Sequence, residues 1–193
     1  MTFLQTIVGW CMALTCTLAF SAHAFEVNDD TGRVLTLNAP AQRIIALSPS
    51  ITENLFAIGV GDRIIGTTTY SDFPDAAKHI PIIGDYQSLD LERIAALKPD
   101  VIIAWKGGNS PAQLAALERL NLPVYFHHIQ TLTDIPLALM HLAQLTGTES
   151  NAAPIILNAY RTLPLLRDAP QPIMPTFYHV WHAPPMTLTG SGW

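Results

Sequence analysis

Arg43-Ile-Ile-Ala-Leu-Ser-Pro-Ser-Ile-Thr-Glu53 is the stretch from which the fold is read. Arg43 to Leu47 is rich in β-branched isoleucine and reads as a strand. It runs into the turn Ser48-Pro49-Ser50. Ser50 and Glu53 have the capping-box spacing S-x-x-E, which predicts a helix starting at Ile51. Ile51, Leu55, Phe56 and Ile58 give that helix an apolar face, and Gly59 or Gly61 ends it. Arg63 to Thr67 is the next strand.

The same alternation continues outward. Val34 to Leu37 is a strand upstream. Downstream, Asp90 caps a short helix from Leu91 to Leu97, and Pro99 stops it. Val101 to Trp105 is a continuous apolar run, the signature of a parallel strand buried on both faces. Ser110-Pro111 opens a helix to about Leu120, since proline fits the first helical position. Pro123 to Phe126 is a strand, and Asp134 to about Leu145 a helix closed by Gly147. Strand and helix in strict alternation predict an α/β fold: a Rossmann-like N-terminal lobe with a parallel sheet and right-handed crossovers.

In open sheets of this kind, ligands sit outside the carboxyl ends of the strands. The segments there are Ser48-Pro49-Ser50, Thr68-Thr69-Tyr70, Trp105-Lys106-Gly107-Gly108 and His127-His128. Ala152 to Asp168 has helical spacing and is expected to kink or end at Pro164. Ala169-Pro170-Gln171-Pro172 reads as a linker, and Thr176 to Trp181 as the first strand of a second α/β lobe. The expected organisation is a signal peptide over 1–24, an N-terminal lobe over 25–150, a long connecting helix over 151–169, and the start of a C-terminal lobe over 170–193. One strand cannot bury a core, so that last lobe is expected to be cut short.

The 193 residues are 49% hydrophobic and 13% charged, with a net charge of -5. Lys and Arg are sparse and unclustered, so nothing points to a nucleic-acid partner. Ile7 to Phe20 is apolar apart from Thr15 and Thr17, and is shorter than the roughly 20 residues of a membrane span. Ala22-His23-Ala24 follows with the small-x-small pattern of signal-peptidase sites. The segment from Met1 to Gly9 lacks the usual Lys or Arg. A buried N-terminal helix is the alternative reading. Cys11 and Cys16 both fall inside the signal, so the exported chain carries no disulfide, and Ala13-Leu14-Thr15 is a poor lipobox.

Four stretches carry a family resemblance: Arg43 to Glu53, Tyr70-Ser-Asp-Phe-Pro74, Leu91-Glu-Arg-Ile-Ala-Ala-Leu-Lys-Pro-Asp100 and Val101-Ile-Ile-Ala-Trp-Lys-Gly-Gly-Asn109. Together they resemble the N-terminal lobe of the helical-backbone class (class III) of periplasmic binding proteins, over roughly residues 34 to 190. The second and fourth stretches are most similar to its cobalamin-binding members. The resemblance implies two α/β lobes joined by one helix, with the ligand in the cleft between them. It implies a monomer, not an enzyme, that binds cobalamin (vitamin B12) as transported ligand, without a cofactor, and delivers it to an inner-membrane ABC permease. Members hold the corrin ring with aromatic side chains. Tyr70 and Trp105 match such positions, Tyr86 matches one in type only, and Trp181 lies at or near one in the second lobe. Glu92 matches a surface glutamate that docks on arginines of the permease. Its counterpart on the second lobe falls beyond Trp193.

The bland alternatives are ordinary ones. Tyr70, Tyr86 and Trp105 as core aromatics, and Glu92 as a solvated helix residue, need no ligand or permease. A haem or iron-siderophore receptor of the same fold is the nearest alternative function. Lys106 is the one basic residue in the predicted cleft segments, which suits a near-neutral corrinoid better than an anionic complex. A metal-ion receptor would have to use His127, His128, His179 or His182. Adjacent histidines on a strand face opposite ways, and no standard metal-ligand spacing is present. Catalysis has no support: Ser48 and Ser50 lack G-x-S-x-G around them, and Gly107-Gly108 is not a phosphate loop.

Overall fold

The computed structural model describes residues 24–168. It opens with an antiparallel hairpin of β1 (Phe25–Asn28) and β2 (Val34–Leu37), paired from Phe25↔Leu37 to Asn28↔Val34. Asp29 shapes its turn: Oδ1 accepts from the N–H groups of Thr31 and Arg33, both at 2.9 Å. The main sheet follows, built from β3 (Ile44–Ala46), β4 (Ile64–Thr67), β5 (Val101–Trp105) and β6 (Val124–His127). Its strands are parallel and ordered β4-β3-β5-β6. The chain therefore steps from β3 to one side, then returns to β3's other side. That reversal places a topological switch point between β3 and β5.

Period-two alternation divides the sheet between two cores. Ile44, Ala46, Val101, Ile103 and Tyr125 face one layer with α1 (Pro49–Ala57), and the hairpin packs there too. Ile45, Leu47, Ile102, Ala104, Val124 and Phe126 face the other, against α2 (Leu91–Ala96) and α3 (Pro111–Arg119). α4 (Ile135–Thr146) lies in the first layer through Leu139, Leu142 and Ala143, and α5 (Glu149–Asp168) follows it, anchored by Ala152. Both faces are covered, which is why β3 and β6 are wholly buried and β5 is buried up to Trp105. The α/β expectation is met.

Local differences have simple causes. The first helix begins at Pro49, not Ile51. Ser48 is the cap, its Oγ accepting from the Ile51 N–H at 3.2 Å. Proline has a fixed helical φ and no N–H to satisfy, so it draws the helix start back and leaves Ser50 inside the first turn. Strand β1 is additional to the sequence expectation. Pro164 neither ends nor bounds the last helix, which continues to Asp168. Residues 160–162 are exposed, so the Tyr160 carbonyl that Pro164 leaves without a donor is open to solvent. Among the described residues no helix is long and apolar enough to cross a membrane. The expected signal peptide and second lobe lie outside the described residues.

Candidate functional site

Three loops leave the carboxyl ends of β3, β4 and β5 and meet around one depression of about 150 Å³. Leu47, Ser48 and Pro49 form its floor from the β3 side, and Thr68 and Thr69 come from the β4 side. The rings of Tyr70, Tyr86 and Trp105 stand around it. No charged residue lines it, and its surface is nearly all carbon.

Each ring is held by its own local chemistry. Tyr70 follows β4 and has a left-handed backbone, φ 67°. That conformation costs a non-glycine residue roughly 1–2 kcal/mol, so its neighbours must hold it there. Thr69 donates its N–H to the Gly84 carbonyl at 3.0 Å. Behind it is a buried hydroxyl cluster: Thr52 and Thr67 are 2.7 Å apart, and Thr67 donates to Ser71 at 2.8 Å. This fastens the Tyr70 loop to α1. Tyr70 itself is 83% exposed, so its ring does no core packing.

Tyr86 sits on a tight turn. Residues after Pro81 run beside β4, with Ile83 N–H bonded to Thr67 O at 2.8 Å. Gly84 then turns at φ 136°, where a Cβ would collide with the Ser88 carbonyl. Asp85 Oδ1 takes the N–H groups of Gln87 and Ser88 at 2.8 and 2.7 Å, closing the turn around Tyr86. The Tyr86 carbonyl accepts the Ser110 N–H at 3.3 Å, which ties this turn to the loop after β5.

Trp105 ends β5 and is 44% exposed. Its indole lies across Gly108, where any Cβ would overlap the ring. The ring thus rests on bare backbone. Lys106, next along, does not join the depression: its Nζ lies over the Phe126 ring, 4.8 Å from the centroid.

A second polar cluster lies at the end of β6. The Asp30 side chain, 5% exposed, comes from the hairpin turn. Its Oδ1 accepts from Tyr125 Oη at 2.9 Å and meets His141 Nδ1 at 2.8 Å. Its Oδ2 accepts the His128 N–H at 2.9 Å. His127 Nδ1 approaches Oδ2 to 2.9 Å, within ion-pair reach though off-line for a hydrogen bond. Burial alone would raise the Asp30 carboxyl. The approach of His127, the His128 N–H and His141 outweigh it and hold the pKa below the usual carboxylate value. Burial and the Asp30 charge push the Tyr125 phenol up, so it stays a donor. His127 and His128 are thus engaged with Asp30. Among the described residues no three His, Cys, Asp or Glu side chains are grouped to hold a metal ion.

The profile of the periplasmic binding protein family matches residues 44–169. The chain belongs to the periplasmic binding protein family. Its relatives in that family include a vitamin B12-binding protein of Vibrio vulnificus, 37% identical over 161 residues, 80% of this chain and 58% of the relative. Among solved structures it is similar to the periplasmic vitamin B12-binding protein BtuF of Vibrio cholerae. That likeness has 34% identity and a TM-score of 0.63, covering 66% of this chain and 50% of the other. A periplasmic haem-binding protein from Pseudomonas aeruginosa is 26% identical with a TM-score of 0.60, covering 66% and 46%. The chain spans about half the length of the family members it matches.

Of the residues expected to bind ligand, Tyr70, Tyr86 and Trp105 come together at one depression, and Trp181 lies outside the described residues. His179 and His182 lie outside them too. Glu92 is exposed in the first turn of α2. Sequence reading did not single out Asn109, whose buried side chain bonds to both Trp105 and Leu47. An asparagine directly after Gly-Gly at a strand end was the available signal. Asp30 had none, since its partners are remote in sequence.

Proposed function

We propose that this chain binds cobalamin in the periplasm and hands it to an inner-membrane ABC permease, without covalent chemistry. The observation that carries the reading is the uncharged depression ringed by Tyr70, Tyr86 and Trp105 at the switch point. A corrin is a broad, mostly apolar plate, and rigid aromatic rings offer it large contact area at little entropic cost. At about 150 Å³ the depression is smaller than the roughly 300–1,000 Å³ of an enclosing ligand pocket. It is one wall of a site, a platform that a plate-like ligand overlaps, and Trp181 stays in the proposed ligand-binding set on the family resemblance alone. Relatives described as vitamin B12-binding proteins support the same choice.

Haem is the second reading, favoured by the likeness to the Pseudomonas aeruginosa protein. Haem carries two carboxylates, which want cations. The depression has none, and Lys106 is turned to Phe126. Parallel titrations decide between the two. Cyanocobalamin is expected to quench the tryptophan fluorescence saturably at one per chain, and more tightly than haemin. Tighter binding of haemin would overturn the cobalamin reading.

Glu92 is our candidate for the permease contact, because an exposed carboxylate pairs with arginine both strongly and directionally. Glu92→Ala should leave the cyanocobalamin titration unchanged and lower permease-dependent uptake of radiolabelled cyanocobalamin severalfold. Equal uptake would remove Glu92 from the docking surface.

A further inference from the structure

Asn109 is only 4% exposed, and both ends of its amide are used. Oδ1 accepts the Trp105 N–H at 2.7 Å, and Nδ2 donates to the Leu47 carbonyl at 2.8 Å. These two partners lie on opposite sides of the switch point. Leu47 immediately follows β3, and Trp105 is the last residue of β5. The ladder between those strands is already running out. Its last paired residues are Ala46 and Ile103, and its last bond runs from Leu47 N–H to Ile103 O at 2.9 Å. Past that point the Asn109 amide takes over, as a single side chain spanning the gap. The same loop folds back on itself, with the N–H groups of Gly108 and Asn109 directed at the Trp105 carbonyl at 3.2 and 3.1 Å. That lays the indole on Gly108.

We propose that Asn109 is the positioning residue of the aromatic platform: it sets the opening between β3 and β5 and, through the Trp105 backbone, the pose in which the indole meets ligand. Asn109 does not line the depression, so it acts through Trp105 and Leu47. The proposal rests on reading the depression as a ligand site. The amide is required because one end must accept and the other donate. A carboxylate at this position would keep the Trp105 bond but set an oxygen against the Leu47 carbonyl.

Asn109→Asp tests this in the 193-residue chain. At neutral pH cyanocobalamin affinity should fall about tenfold. In mild acid a protonated carboxyl again donates to Leu47, so the gap to wild type, measured at each pH, should narrow. In a Trp105→Ala background the same substitution should cost little, because its route to the ligand is gone. An equal loss in both backgrounds, or a gap that ignores pH, would overturn the proposal.

A ligand-free measurement separates this idea from the cobalamin reading. With Trp10, Trp181 and Trp193 changed to Phe, Trp105 is the sole tryptophan. Acrylamide quenching of it should rise in N109D at neutral pH and revert in acid. If wild type fails to bind cyanocobalamin but quenching behaves this way, the positioning role stands and only the ligand is wrong. Unchanged quenching would sink the role whatever the ligand. Should N109D not fold, Asn109→Ser, smaller and uncharged, breaks the Leu47 link and is read by the same quenching measurement.

Discussion

Trp105→Ala is expected to weaken cyanocobalamin binding by roughly thirtyfold while barely moving the melting temperature. The indole is 44% exposed before ligand arrives. Covering roughly 80 Å² of it at about 25 cal/mol per Å² contributes about 2 kcal/mol, which corresponds to that factor. The folded state loses little, because the ring lies on Gly108 at the surface and not in either core. Equilibrium dialysis is the right measurement, since the substitution removes one of the four tryptophans and so alters the fluorescence signal itself. An unchanged dissociation constant would mean the ring does not touch the ligand. A large fall in melting temperature would mean that Trp105 serves the fold.

Asp30→Ala should do the reverse, with a loss of stability of about 3–5 kcal/mol, a large part of the 5–15 kcal/mol of a typical domain. The carboxylate joins three pieces of chain: the hairpin turn, β6 through Tyr125 and the His128 N–H, and α4 through His141. Truncation leaves those donors without their acceptor in a place where the Asp30 side chain is 5% exposed. The sign of the pH dependence follows from the depressed pKa. The carboxyl ionises more readily in the folded chain than in the unfolded one, where its pKa is about 3.9. Its contribution is therefore complete well above that value and drains away as pH falls through the folded-state pKa. Urea denaturation of wild type and Asp30→Asn should show a wide difference at pH 7 that shrinks near pH 3. A constant difference would mean that the charge of Asp30 is not what stabilises the hairpin.

The strands were readable where their environment is uniform. Val101–Trp105 is apolar throughout because both faces of the sheet are covered, and its bounds in the structure are those of the sequence run. Asp90 was readable as a cap because the bond is local: it accepts the Arg93 N–H at 2.9 Å. Ser50 misled because two capping patterns overlap, and Pro49 favours the one that starts earlier. The aromatic residues could be named from the sequence, but their convergence depends on the turn at Gly84 and the bond from Ser110 N–H to Tyr86 O. Asn109 and Leu47 are separated by 62 residues, and Asp30 and His141 by 111. No spacing rule reaches so far, since such pairs exist only after the sheet has assembled.

The strand order has a consequence for timing. β3 is formed early in the chain, yet one of its two neighbours is β5, with Ile44 set against Val101. The sheet cannot nucleate fully around β3 from adjacent sequence. It must first close a loop through the β4 excursion, an entropic cost met before the contacts reward it. A nascent chain ending before Val101 would hold β3 with one side unpaired. Such a topology delays completion of the sheet until the segment from Val101 to Trp105 is available to pair with β3.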